Sequence, residues 1–153
     1  MVACVVFTFD DGYENMFNVA YPIMKKYGLV GTVFVITDLV APKDWRGKKT
    51  MTWEQLTELY KNGWDIGSHT ASHPWLMKIS LKQVVNELKR SKVTLENHGF
   101  NVAGIGYAAG DPGDTEPKRE AVKNITVGEE RLLAKLCLWT IQLIGIGYQA
   151  YVF

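Results

Sequence analysis

Cysteine, histidine, net charge and long apolar runs are all scarce in this 153-residue sequence, and each scarcity closes off a class of function. Its two cysteines, Cys4 and Cys137, lie far apart in apolar surroundings, so no disulfide framework is expected and both read as buried, inert thiols. Seventeen basic residues against sixteen acidic ones leave a net charge of +1, too little to draw in nucleic acid or an anionic membrane, and a neutral ligand is expected. The opening "MVACVVFTFD" has no basic leader and meets charge at Asp10, so no signal peptide is read. That suits a cytoplasmic chain as written, or a secreted or cell-surface one whose leader has been removed. The tail "LCLWTIQLIGIGYQAYVF" runs eighteen residues without charge, the lower edge of a membrane span. Thr140, Gln142, Gln149 and its aromatics instead suit a buried helix followed by a strand, so no membrane span is expected. Repeats and low-complexity tracts are absent.

What is present is ordinary globular composition, 47% hydrophobic and 22% charged, in a length that suits one domain over residues 1–153. Short β-branched runs alternate with longer amphipathic stretches. "CVVFTF" (4–9) and "GTVFVIT" (31–37) read as buried strands, "WDIG" (64–67) as a short third and "NVAGIGYA" (101–108) as a fourth. Between them, "ENMFNVAYPIMKKYG" reads as a helix that Pro22 must kink or delay, closed by Gly28. "TWEQLTELYKNG" and "SLKQVVNELKRSKVTLENHG" each begin with a capping-box pair, Thr52 with Gln55 and Ser80 with Gln83, and end at Gly63 and Gly99. "APKDWRGKKT" is a polar loop, "TEPKREAVKN" a short helix, and residues 129–145 carry a helical apolar stripe. This α/β alternation predicts parallel β/α units with right-handed crossovers, either an open doubly wound sheet or part of a barrel. Four or five units are too few for an eightfold barrel, which takes about 200 residues or more.

Reactive groups of parallel β/α folds gather where strands end. "TFDDGY" places Asp10 and Asp11 there, with Gly12 to allow a sharp turn; Asp-Gly is also ordinary turn chemistry. "DIGSHTASHPWL" follows another strand and holds two of the three histidines, His69 and His73. On a helical turn, residues four apart lie about 5–6 Å from each other on one face, close enough to share an ion. Two imidazoles and one carboxylate complete the three-ligand set of an open catalytic zinc site.

Together "TFDDGY" and "GSHTASHPWL" resemble the first two motifs of the polysaccharide deacetylase (NodB-homology) family, carbohydrate esterase family 4. The likeness runs from about residue 5 to 111 and takes in "YPIMKKYGLVGTVFV" and "MTWEQLTELYKNGWDIGSHT"; residues 112–153 are atypical. The resemblance implies a partial or distorted (β/α) barrel, and a hydrolase that removes N-acetyl or O-acetyl groups from a polysaccharide or oligosaccharide such as an N-acetylglucosamine polymer. It implies Asp10 as general base, and Asp11, His69 and His73 as ligands of a divalent metal, zinc first with cobalt or nickel as alternatives. Such an ion polarises the acetyl carbonyl and acidifies water, and a carboxylate that is not a ligand then takes the water proton.

The family's third motif, a Tyr-Pro-Tyr-Gly or Pro-Tyr-Gly turn, is "GYAAGD" here: Tyr107 and Gly110 match, while Ala108 and Ala109 replace the proline and the aromatic residue. By the resemblance, Ala109 would supply the backbone oxyanion donor and Tyr107 would contact substrate; a misplaced donor of this kind costs about 2.7–4 kcal/mol of transition-state stabilisation. The family's late Leu-His-Asp segment is not found. His98, in "LENHGF", reads as a helix-end residue meeting carbonyls. Trp75 and the loop residue Trp45 are candidate sugar-stacking walls of the cleft, whereas Trp53 and Trp64 read as core or staple contacts flanking the second helix, and Lys25–Lys26 and Lys48–Lys49 as solvated faces. Two rivals to a glycan deacetylase stand beside it: an impaired glycan- or metal-binding relic, and a related hydrolase of small amides.

Overall fold

The computed structural model describes residues 5–41, 43–102, 104–110, 115–126 and 148–152. β1 (Val5–Phe9), β2 (Thr32–Val35) and β5 (Asp65–Ser68) form the parallel part of a four-stranded sheet, in the order β5, β2, β1 and then β6 (Tyr148–Val152). Phe9 pairs with Val33, and Val35 with Ser68, so the C-terminal ends of all three parallel strands reach one edge. β6 departs from the all-parallel expectation: it runs antiparallel to β1, with Val5 opposite Val152 and Phe9 opposite Tyr148. An antiparallel neighbour satisfies the open edge of β1 without the helical crossover that a parallel one requires.

Of the fourth expected strand, the described residues keep a single parallel bridge, between Ser68 and Ile105. Ser68 N–H donates to the Gly104 carbonyl at 2.9 Å, and Gly106 N–H to the Ser68 carbonyl at 2.9 Å. The close approach needs glycine: a Cβ on Gly67 would stand 2.5 Å from the Phe34 ring and 3.0 Å from the Gly104 oxygen.

Pro22 acts as its missing N–H dictates. The helix widens over Met16–Ala20 into a turn closed by Tyr21 N–H on the Met16 carbonyl, and regular α1 (Tyr21–Lys26) begins with the proline in its first turn. α2 (Trp53–Lys61) and α3 (Leu81–Asn97) both start on complete capping boxes. In the first, Gln55 N–H donates to Thr52 Oγ1 at 3.2 Å while Thr52 N–H donates to Gln55 Oε1 at 2.9 Å. α4 (Glu116–Thr126) covers the predicted short helix, and its buried Lys118 donates Nζ–H to the Met77 carbonyl at 3.1 Å.

The polar loop after β2 is more ordered than its composition suggests. β3 (Asp44–Trp45) and β4 (Lys48–Lys49) form a hairpin around Arg46 and Gly47, both left-handed at φ 53° and 77°, which is the turn that matches strand twist.

The core fills the space between sheet and helices with Met16, Val33, Val35, Leu56, Leu59, Trp64, Ile66 and Leu95, all buried. Trp64 meets Tyr21 edge-on, with centroids 6.0 Å apart, and Trp53 packs partly buried beside this cluster, as read from the sequence. A smaller cluster of Leu76, Val84 and Leu88 seats α3 under the histidine segment. No helix among the described residues is long and apolar enough to cross a membrane. Cys4, Cys137 and the helix expected over 129–145 lie outside the described residues.

Candidate metal centre

At the C-terminal end of β1 the chain turns through two left-handed residues, Asp11 at φ 66° and Gly12 at φ 74°. Gly12 is packed so close that an added Cβ would stand 3.0 Å from Val35 Cγ1. This bend breaks the alternation of a strand and turns Asp11 towards the end of β5.

His69 leaves β5 with its N–H donated to the Val35 carbonyl at 2.8 Å. The segment carrying it to His73 is not the helical turn considered from the spacing. It is irregular, with Thr70 at φ 66° and His73 at φ 61°. The i, i+4 proximity survives because these two left-handed residues fold the loop back, leaving the imidazole centroids 4.9 Å apart.

The three side chains meet. His69 Nε2 and His73 Nε2 each stand 3.5 Å from Asp11 Oδ1, and one donor atom from each residue lies within 4.8 Å of the others. His69 Nδ1 is 2.8 Å from the Gly106 carbonyl, so that nitrogen carries the hydrogen and the Nε2 lone pair faces Asp11. Burial lowers the His69 pKa against the pull of Asp11 and of the Gly106 carbonyl, and burial followed by His69 itself lowers that of His73. Both rings are therefore neutral near pH 7.

Asp11 Oδ1 is buried and has no hydrogen-bond partner, and 3.5 Å is too long for a good bond to either ring. A carboxylate oxygen converging on the His69 Nε2 lone pair and on a second imidazole nitrogen suits a cation, and this set of atoms suits zinc or a similar divalent ion.

Asp10 stands outside this set but close to it. Burial first, then the neighbouring Asp11 charge, push its carboxyl up to about 6, with His73 pulling the other way. Tyr13, unremarked in the sequence, is pushed up to about 12 by burial and then by Asp11.

The 41–50 arm covers one side. Tyr13 bridges to Thr50, Met51 N–H donates to the Gly12 carbonyl at 2.9 Å, and the Trp45 ring lies 5.7 Å from that of His73. Trp75 is differently placed: it is exposed, with Lys78 Nζ 3.8 Å above its ring, and among the described residues it makes no ring contact with either histidine. Tyr107 is exposed, and its carbonyl accepts Gly110 N–H at 2.9 Å. Ala109 sits left-handed at φ 56° in that turn, three residues from the carbonyl that holds His69. His98 donates Nδ1–H to Thr94 O at 2.8 Å, the carbonyl contact expected of it, and stacks on Trp53 at 3.6 Å.

Sequence reasoning missed two supports. One is the Gly106 carbonyl, whose only signal was a glycine-rich "GIGYA"; a Cβ there would lie 2.8 Å from the Phe34 ring and 3.0 Å from His69 Nδ1. The other is Glu87 on α3, which bonds the loop between the histidines and carried no motif at all.

Comparison with known proteins places these features in company. The family model for polysaccharide deacetylase matches residues 2–125. A Bacillus subtilis (strain 168) protein assigned to the polysaccharide deacetylases, YxkH, is 37% identical over 94 residues, which is 61% of this chain and 32% of that one. A Staphylococcus aureus (strain MSSA476) poly-beta-1,6-N-acetyl-D-glucosamine N-deacetylase is 32% identical over 93 residues, 55% of this chain and 32% of its own. The chain thus spans about a third of the length of these curated relatives. Among solved structures, the Streptococcus pyogenes deacetylase PplD in complex with acetate superposes with a TM-score of 0.70 at 31% identity, over 78% of this chain and 51% of that one.

Proposed function

Given that this chain belongs to the polysaccharide deacetylase family, we propose that it is a metal-dependent hydrolase that releases acetate from an N-acetylated glycan. A polymer of N-acetylglucosamine is the favoured substrate class, since a relative of 32% identity is named for one. The observation that carries the reading is the buried, partnerless Asp11 Oδ1 facing two imidazole nitrogens at 3.5 Å.

Asp11, His69 and His73 are the residues to hold the ion, with zinc favoured and cobalt or nickel as alternatives. A divalent cation held there polarises an acetamide carbonyl and brings the pKa of water towards ~7. Asp10 is left free of that set to accept the proton of the attacking water. A carboxyl at about 6 is mostly ionised at neutral pH yet more basic than an ordinary aspartate, which suits it to the task. The Ala109 N–H is the candidate donor to the developing oxyanion. Tyr107 and the Trp45 indole are the candidate substrate contacts, the latter close enough to the His73 ring for a sugar to stack beside the centre. Trp75 keeps a claim only as an outer contact.

The deciding experiment measures bound metal in the wild type, Asp11→Ala and His69→Ala, together with acetate release from chitin oligomers. Stoichiometric metal in the wild type and none in the variants is expected; full metal in both variants overturns the assignment. The replacement of the third motif's proline and aromatic by Ala108 and Ala109 favours a second reading, a metal-binding relic. That reading predicts metal without turnover of any amide or ester.

A further inference from the structure

We propose that Glu87, in the middle of α3, is a positioning residue for the metal centre: its carboxylate clamps the loop between the two histidines and so sets where His73 Nε2 points. The inference rests on the metal-centre reading above and adds to it a residue outside the ligand set.

From His69 to His73, every N–H has a partner. His69 N–H goes to the Val35 carbonyl, Thr70 N–H to Ser68 Oγ at 3.1 Å, and His73 N–H to Thr70 Oγ1 at 2.9 Å. The two between, Ala71 and Ser72, both donate to Glu87 Oε2, at 3.1 and 2.8 Å, while Ser72 Oγ–H donates to Glu87 Oε1 at 3.1 Å. The outward carbonyls are held from the opposite side, Thr70 O by Thr37 N–H at 3.3 Å and Ala71 O by Asp38 N–H at 3.0 Å. The loop is pinned between the end of β2 and one face of α3.

It needs the pinning. Thr70 and His73 are both left-handed, a strained conformation for non-glycine residues that persists only when the surroundings impose it. Nothing apolar in the loop except Ala71 is buried enough to impose it by packing. A carboxylate suits the role because every group it meets is a donor, and it accepts all of them at once. Its own charge is balanced by Arg90, 3.1 Å from Oε1, which also pairs with Asp38 Oδ2 at 2.8 Å. Arg90 thereby ties the α3 support to the β2 support. Glu87 touches neither histidine; it acts through two peptide groups that precede His73.

The test titrates Co²⁺ into the metal-free full-length protein and reads both affinity and the visible ligand-field spectrum, with melting points measured alongside. Glu87→Ala is expected to weaken Co²⁺ binding by roughly 10–100-fold, as loss of a ligand-orienting contact does, and to alter the spectrum. Glu87→Gln, which keeps one carbonyl oxygen for the Ala71 and Ser72 N–H groups, is expected to recover most of the affinity. It also serves if the alanine variant does not fold. Thr52→Ala is the control: it removes the α2 capping box, which makes none of the loop's hydrogen bonds, and lowers the melting point without changing the titration. Wild-type affinity and spectrum in Glu87→Ala would overturn the clamp while leaving the metal centre intact, and so would equal losses in the Gln and Ala variants. A wild type that takes up no Co²⁺ would end the metal-centre reading and the clamp with it.

Discussion

At the scale of single residues, the centre is costly before it is useful. Asp10 carries a carboxyl that burial raises from 3.8 to about 6, a differential of about 3 kcal/mol at 1.36 kcal/mol per unit. Because the folded value lies above the unfolded one, stability is full below pH 4, declines as pH rises to 6, and stays reduced at pH 7. Asp10→Asn should therefore raise the denaturation midpoint of the metal-free protein at pH 7 and change it little at pH 4. Melts in chelator at the two pH values test this; a variant less stable than wild type at pH 7 contradicts it. The same substitution should abolish acetate release while metal is retained. Gly106→Ala makes the converse point. Its methyl would press on Phe34 and His69 Nδ1, displacing the carbonyl that fixes the ring, and metal affinity should drop about tenfold or more in a direct titration. The clustered side chains of Asp11, His69 and His73 were legible in the sequence, because "TFDDGY" and "HTASH" are short, local and rich in rare groups. Their supports were not. The Gly106 carbonyl is a backbone atom that every residue possesses, and Glu87 is one of many glutamates on helices.

Elements were read well where a local rule decides them. Both capping boxes, the Pro22 disturbance and the buried strands follow from neighbours within a few positions. The 41–50 arm did not yield, since its order comes from one threonine reaching across the loop. Thr50 Oγ1 lies 2.6 Å from the Leu39 and Ala41 carbonyls and 3.2 Å from that of Lys43, and accepts Lys43 N–H at 3.3 Å. With one hydroxyl proton, it donates to one carbonyl at a time. Thr50→Val would leave buried polar groups without this partner, at about 1–3 kcal/mol. Because the arm carries Trp45 and not a ligand, the expected signature is a lower melting point and a higher KM for glycan with bound metal unchanged. Metal loss in this variant would mean that the arm, not the strand ends, organises the centre.

For the whole molecule, one cation would join residue 11, at the end of β1, to residues 69 and 73, beyond β5. Anything that binds the folded state alone stabilises it, by ~2.7 kcal/mol at a hundredfold excess over Kd. For a chain of this size that is roughly 5–10 °C in Tm, which zinc should confer on the wild type and chelator remove, with neither affecting Asp11→Ala. An equal rise in that variant would place the metal elsewhere. The parallel half of the sheet was foreseeable from alternating strands and helices. The antiparallel β6 was not, because pairing direction at an edge depends on the chain's path between elements and not on the strand's own residues.

The left-handed bend at Asp11 carries a last implication, for tolerance of length change. An ordinary strand would send consecutive carboxylates to opposite faces, yet here Asp10 and Asp11 both lie within the influence of His73. One inserted or deleted residue between Phe9 and Tyr13 would re-aim both carboxylates and carry Asp11 Oδ1 away from the two imidazole nitrogens. The same change at the Arg46–Gly47 tip would merely lengthen a finger. Indel scanning should find the first stretch rigidly intolerant and the second permissive.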